Sequence, residues 1–200
     1  EAWSYYDDRP LGQAGAKGDL QYSRAIVAID GVDQALDREI QWDGYGNPVF
    51  ARAYTDYSLA APTPTAGWGT ARPSVTQTVG YDPRFHQFVL TATNALGHAT
   101  AYTYYGVNES TPTAGQPFGA LKSVTDPNGA MTSYQYDAFG RLRKVAQPGD
   151  SLTDPSEEWR YFDGIETSRT ITASGFTAGP FVTDHWVRGV AGGGWTSSTL

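Results

Sequence analysis

The chain has no cysteine, a single methionine and few basic residues among its 200 positions. The lack of cysteine excludes a disulfide framework and any thiolate metal site. Only 14 lysine and arginine residues stand against 21 aspartate and glutamate residues, which gives a formal net charge of -7. Nucleic acids and anionic membrane surfaces are bound through clustered basic residues, so the composition argues against both as partners.

Long apolar runs are also missing from the sequence. No stretch of about 18 consecutive apolar residues occurs, so no membrane-spanning helix is expected. The first residues have neither the basic start nor the apolar segment of a signal peptide. We interpret residues 1–200 as one repeat-containing segment of a longer chain.

Aromatic residues and turn formers are abundant instead. The chain has 13 Tyr, 6 Trp and 8 Phe, together with 23 Gly and 12 Pro. Aromatic residues favour strands, whereas frequent Gly and Pro interrupt them with turns. The composition therefore predicts an all-β fold of many short strands, with little or no helix.

Residues 125–148 contain two turns and two strands in succession. The turn sequences are DPNG at 126–129 and DAFG at 137–140, which combine Asp with residues that tolerate a left-handed backbone. Residues 131–136 and 141–146 alternate in the manner of extended strands. This stretch predicts a short antiparallel β-meander.

The same unit recurs at uneven spacing along the chain. Residues 94–106 match 126–138 at a constant offset of 32, and residues 41–49 match 135–143. Weaker copies begin at Tyr5, Tyr81 and Tyr161. We expect the repeat to be built by these residues: Trp42, Asp43, Gly46, Tyr81, Asp82, Gly97, Tyr102, Tyr104, Asp126, Gly129, Tyr134, Tyr136, Asp137, Gly140, Arg141, Tyr161, Asp163 and Gly164.

The intervening segments are predicted to be loops or less regular strands. Charge and Ala/Leu content permit a helical turn in residues 31–40, whereas Pro and Gly make 61–73 a long surface loop. Residues 109–118 and 148–156 are similar connections. Alternation resumes after residue 167, most clearly over 181–187.

Each residue type in the repeat has an expected structural role. The tyrosines of adjacent strands are expected to stack as a cross-strand ladder. The carboxylate of Asp137 is expected to accept backbone N–H bonds in an Asx-turn, and Gly140 to supply the backbone freedom of the turn. Arg141 is expected to stack on a ring or to pair with an acid of the next repeat.

Catalytic and metal-binding patterns are weak in this sequence. His86, His98 and His185 lack the spacing of a zinc site. A glycoside hydrolase needs two opposed acids, but the adjacent Glu157 and Glu158 of a strand point to opposite faces, which leaves a pairing with Asp163 as a minor alternative. We expect no catalytic residue, no metal and no cofactor. Aromatic faces also suit sugar rings, so carbohydrate binding remains an alternative.

The motifs YDAFGRL, DPNG and SYQY resemble the YD repeat of Rhs proteins, of teneurins and of the B and C components of bacterial Tc toxin complexes. The resemblance implies a curved strip of sheet that spirals into a hollow shell in a secreted or cell-surface protein. In toxins of this family the shell encloses an effector polypeptide, and in teneurins it supports adhesion.

The resemblance also fixes the expected partners. These are neighbouring YD repeats, an enclosed effector polypeptide and, for the adhesion alternative, a glycan. Asp126-Pro127-Asn128-Gly129 is similar to the self-cleavage motif of some relatives, but it lies in mid-array and is interpreted as a turn. An isolated strip has unpaired edges, which predicts self-association or marginal stability of these 200 residues alone.

Overall fold

The computed structural model describes residues 2–7, 9–13, 15–59, 72–162, 170–171, 176–177, 182–188 and 195–199. These residues form strands and turns without any helix, which confirms the predicted all-β class. Accordingly, no helix in the described ranges could cross a membrane. The chain divides into two compact units, Glu1–Thr100 and Ala101–Leu200.

The first unit is an antiparallel meander in the order β1-β2-β3-β4-β6-β7, with β5 paired to part of β3. The strands are β1 (Ala2–Tyr6), β2 (Leu20–Ile29), β3 (Val32–Trp42), β4 (Pro48–Tyr54), β5 (Ser58–Leu59), β6 (Ser74–Tyr81) and β7 (Val89–Thr93). The antiparallel meander predicted from the turn and strand pattern is confirmed.

The second unit continues the pattern in the order β8-β9-β10-β11-β12-β15-β16. Its strands are β8 (Ala99–Tyr104), β9 (Leu121–Thr125), β10 (Met131–Tyr136), β11 (Leu142–Ala146), β12 (Glu157–Phe162), β13 (Thr170–Ile171), β14 (Phe176–Thr177), β15 (Val182–Arg188) and β16 (Trp195–Thr199). Among the described residues, strands β13 and β14 pair with each other in a separate two-stranded sheet.

Because neighbouring strands run antiparallel, alternate connections in a unit lie at the same end of the strands. In the first unit the turns that begin at Asp43 and Asp82 share one end, which we call the aromatic-Asp end. In the second unit the turns that begin at Asp137 and at Asp126 lie at opposite ends of the strands.

The helical turn expected over residues 31–40 is wrong, because this segment lies in strand β3. Ile29 pairs with Val32, so Asp30 and Gly31 form a two-residue hairpin turn with φ angles of 51° and 75°. An Asp-Gly pair with both φ positive is a preferred turn between antiparallel strands. The period in β3 is two, since Ala35 is buried and Leu36 beside it is exposed.

The loops predicted at 109–118 and 148–156 are confirmed, since no strand crosses either segment. Most of the loop predicted at 61–73 lies outside the described residues. The glycine-rich tail at 192–194 and the repeat residues Asp163 and Gly164 also lie outside them.

The covered face of the first unit is unusually polar. Tyr5 and Tyr54 form its aromatic centre, with Trp3 and Tyr22 packed against them. Beside these rings, buried ion pairs join strands and connections: Arg24 Nε to Asp37 Oδ1 at 2.7 Å, Arg72 Nη1 to Asp37 Oδ2 at 2.7 Å, and Arg52 Nη1 to Glu39 Oε2 at 3.2 Å.

Burial on its own would raise the pKa of Asp37, but hydrogen bonds from Arg24, Arg72 and Ser58 outweigh it and hold the pKa below its usual range. The carboxylate therefore stays ionised inside this face. Such fully hydrogen-bonded ion pairs specify one arrangement, because removing a single partner leaves a buried charge.

Candidate functional site

Four turns share one hydrogen-bond pattern, set by a leading Asp or Asn. In each turn the side-chain Oδ1 of the first residue accepts the backbone N–H groups two and four positions later, at distances of 2.8–3.1 Å. The leading residues are Asp43, Asn94, Asp126 and Asp137. The structure therefore shows the Asx-turn expected at Asp137 and repeats it at both ends of the strands.

The glycine three positions later completes each of these turns. Gly140 N–H donates to Asp137 O at 3.0 Å, and Gly140 has a φ of 81°. Gly46, Gly97 and Gly129 have φ angles of 85°, 79° and 83°. A Cβ built on Gly140 would meet nothing within 4 Å. Backbone conformation, rather than lack of space, therefore requires glycine.

The turn at Asp82 is closed by the same kind of backbone hydrogen bond, but across a longer loop. Asp82 N–H donates to Phe88 O at 2.9 Å, six positions on, whereas Asp43 N–H donates to Asn47 O, four positions on. His86 adopts a φ of 57° in this loop, which has no glycine. Asp82 is only 2% exposed, and its carboxylate accepts the backbone N–H groups of residues 84, 85, 87 and 88.

The turn carboxylates are held in the ionised form. For Asp82, burial would raise the pKa, but the four N–H donors lower it to about 2. The Ala130 N–H is the main cause that lowers the pKa of Asp126, and the Asn47 N–H does the same for Asp43. Carboxylates with such low pKa values serve as hydrogen-bond acceptors and are poor general acids at neutral pH.

Three aromatic side chains near the ends of their strands tie one repeat to the preceding repeat. Trp42 Nε1–H donates to Leu20 O at 2.9 Å, and the Tyr161 hydroxyl donates to Leu142 O at 2.7 Å. The Tyr81 hydroxyl lies 3.4 Å from Pro48 O in the same relation. The three acceptors are the first residues of β2, β4 and β11.

These carbonyls need a donor because the neighbouring ladders end before reaching them. The β2–β3 pairing ends at Tyr22, the β4–β6 pairing at Phe50 and the β11–β12 pairing at Lys144, each two residues into the strand. A carbonyl beyond the last pair still requires a hydrogen bond when water is excluded. The aromatic N–H or O–H supplies this bond and fixes where the next repeat begins.

Tyrosines of adjacent strands lie opposite each other between β1 and β2, where Tyr5 pairs with Tyr22, but the expected ladder is wrong for Tyr102 and Tyr134. Tyr102 pairs with Val124 and Tyr134 pairs with Val145, because a strand without tyrosine lies between the two repeats' tyrosine-rich strands. The tyrosine contact between these two repeats is of another kind. Tyr105 packs edge-on against Tyr136, with ring centroids 6.3 Å apart, and its hydroxyl donates to Tyr134 O at 2.7 Å.

Arg141 makes one of the two contacts expected of it. Its guanidinium lies 4.3 Å from the ring centre of Tyr161 in the next repeat. Arg141 Nε also pairs at 2.7 Å with Asp137, which opens its own turn. The acid of the next repeat, Asp163, lies outside the described residues, so that pairing stays a prediction. Arg141 therefore joins the turn to the following strand.

A stacked ring pair couples two turns at the aromatic-Asp end of the first unit. Tyr45 and His86 stack with centroids 3.6 Å apart and planes 9° from parallel. Asn47 Nδ2–H donates both to Asp43 in its own turn, at 3.0 Å, and to His86 O in the next turn, at 2.7 Å. Sequence comparison alone did not identify Tyr45, Asn47 or His86 as parts of this junction.

Glu157 and Glu158 make separate side-chain contacts. Glu157 lies 2.9 Å from His185 Nε2, whereas Glu158 pairs with Arg160 at 3.2 Å. These contacts fit the predicted placement of the two glutamates on opposite faces, and Asp163 lies outside the described residues. No group of three metal-ligating side chains occurs in the part of the chain that the structure describes.

Residues 117–152 match the protein-family model described as RHS Repeat. The matched range contains the turns at Asp126 and Asp137 with strands β9 to β11. This match confirms the resemblance to the Rhs/YD-repeat family and shows that the chain carries an RHS repeat. A search of curated proteins found no match.

Proposed function

We propose that this chain is a structural segment of a secreted or cell-surface YD-repeat shell, and that the shell of the parent protein encloses an effector polypeptide. The junction at the aromatic-Asp end carries this proposal. There, the repeat motif supplies the side-chain acceptor for the backbone N–H groups of its own turn. In three repeats its aromatic side chain also donates a hydrogen bond to a backbone carbonyl of the preceding repeat. Residues used in this way build a continuous strip and provide no reaction centre.

Limited proteolysis of the parent protein tests this function. The intact shell is expected to protect an additional polypeptide that becomes digestible once the strip is opened. Deletion of the β10–β11 hairpin opens the strip, and Asp33→Asn, at an exposed position in β3, is the matched control. Equal digestion of that polypeptide with and without the hairpin would contradict enclosure.

Carbohydrate binding is the second candidate, and a polar cleft beside Trp42 supports it. The cleft measures about 320 Å³. Asp19, Gln21, Arg9 and Lys17 line it together with the half-buried indole of Trp42. An aromatic face flanked by acids, an amide and cations suits the apolar face and the hydroxyl groups of a neutral sugar ring.

Saturation-transfer NMR with glucose, galactose and N-acetylglucosamine tests this candidate. Asp19→Asn is expected to weaken the sugar signals, whereas Asp33→Asn, outside the cleft, is expected to leave them unchanged. Absence of saturation transfer from the native chain to all three sugars would exclude this binding site for them.

A further inference from the structure

The first unit leaves one face of its sheet open and mostly apolar. Residues directly opposite each other on paired strands share a face. The pairs Ala25 with Leu36 and Ala53 with Val75 lie on the face opposite the buried ion pairs. Leu36 is 37% exposed and Val75 is 48% exposed. We call this the open face; its members are Ser23, Ala25, Leu36, Arg38, Ile40, Ala51, Ala53, Val75 and Gln77.

A trough runs along the middle of the open face. Ala51 and Ala53 of β4 form its floor, and the longer side chains of Ile40, Arg38 and Val75 stand on the flanking strands. The resulting cleft has a volume of about 380 Å³. Clefts that hold small ligands or anchoring side chains have volumes of roughly 300–1,000 Å³. The trough is therefore large enough for an apolar side chain.

Arg38 is the charged residue of the open face. It is exposed, and no acidic side chain of the described residues forms an ion pair with it. By contrast, Arg24, Arg52 and Arg72 on the covered face all pair with carboxylates. An unneutralised cation beside an apolar trough is complementary to a ligand that carries an apolar group next to an anion.

We propose that the open face is a docking surface for an extended polypeptide segment. An apolar side chain of the segment enters the trough over Ala51 and Ala53, and a neighbouring carboxylate pairs with Arg38. This inference rests on the proposed function, because it assigns the face that contacts the enclosed polypeptide. The net charge of -7 repels acidic segments elsewhere, so pairing at Arg38 also fixes the position of the segment.

Two matched peptides provide the probe: acetyl-Leu-Ala-Glu-amide and acetyl-Leu-Ala-Gln-amide, in which the first and third side chains of the extended peptide lie on the same face. Each is titrated into the 200-residue chain while backbone amide shifts are followed by NMR. The glutamate peptide is expected to shift the amides of Ala51, Ala53 and Arg38 and to bind about threefold more tightly than the glutamine peptide, as for an exposed ion pair.

Three variants locate the effect. Arg38→Gln is expected to abolish the preference for the glutamate peptide, whereas Arg84→Gln, at another exposed arginine of the same unit, is expected to keep it. Ala53→Leu fills the trough and is expected to weaken both peptides. Because Ala53 lies on an open face, this substitution meets solvent rather than a packed core.

The proposal is overturned if neither peptide shifts the trough amides, if both peptides bind equally, or if Arg84→Gln removes the preference as Arg38→Gln does. Sedimentation that shows a dimer, dispersed by Ala53→Leu, would instead assign the open face to a second copy of the chain. These outcomes are separate from the proteolysis of the parent protein, which tests enclosure without reference to this face.

Discussion

Replacing Asp82 by asparagine removes the charge from the most heavily hydrogen-bonded turn. The carboxylate is 2% exposed, and the backbone N–H groups around it lower its pKa from 3.8 to about 2. Each pKa unit corresponds to about 1.4 kcal/mol, so the ionised form contributes roughly 2 kcal/mol to folding. Asp82→Asn is therefore expected to lower the free energy of unfolding by about 2 kcal/mol at pH 7.

The control for this prediction is Asp126→Asn. Asn94 already forms the same turn with a neutral amide, so an asparagine at the half-buried position 126 is expected to cost less than it does at the buried Asp82. Urea unfolding of the wild type and both variants, followed by tryptophan fluorescence, measures the difference.

The effect of Asp82→Asn also depends on pH. A depressed native pKa gives stability that is fully present above the unfolded pKa of about 3.9 and is lost as the pH falls through the native value of about 2. The gap between the wild type and Asp82→Asn should therefore narrow as the pH falls from 5 to 2. Equal losses for the two variants at pH 7, or a gap that does not change with pH, would refute the argument.

Three further substitutions test other parts of the repeat. Tyr161→Phe removes the hydroxyl donor at the junction and should lower the free energy of unfolding by about 1 kcal/mol in urea; no loss would mean that water replaces the hydroxyl. Glu109→Gln breaks the ion pair with Lys122, which is the main cause that lowers the Glu109 pKa to about 2. In urea unfolding this variant should be less stable than the wild type at neutral pH, and the difference should disappear as the pH falls towards the Glu109 pKa. Gly140→Ala forces a φ of 81° on a residue with a Cβ and should cost about 1 kcal/mol in thermal unfolding, whereas Gly44→Ala, where φ is not positive, should cost less.

The turns and strands were predictable from the sequence because their causes are local. The Asx-turn at Asp137 involves residues two and four positions away, and the matching turn at Asn94 has the same pattern. The hairpin turn at Asp30 and Gly31 has an equally local cause. It was not predicted, because the charge and the Ala/Leu content of β3 obscured the two-residue alternation of that strand.

The partners of the aromatic residues could not be predicted in this way. The Tyr161 hydroxyl meets Leu142 O, 19 residues earlier, only because β11 and β12 pair with a particular register. The expected tyrosine ladder is absent at Tyr102 and Tyr134 for the same reason, since strand order places Val124 and Val145 opposite these two tyrosines. Sequence alternation predicts which residues share a face but not which strand lies beside them.

The uneven spacing of the repeats follows from the geometry of the junction. The donor and acceptor are 22 residues apart for Trp42 and Leu20, 33 for Tyr81 and Pro48, and 19 for Tyr161 and Leu142. In each case the chain runs along the strand that begins with the acceptor, turns at the far end and returns along the next strand to the donor. The connection at the far end can therefore be long or short without changing the hydrogen bond between donor and acceptor. Loop length has a small effect on closure entropy, and insertions at that end cost little. A repeat held by this junction can therefore keep its structure while its period varies, as the aromatic-Asp turns of this chain do.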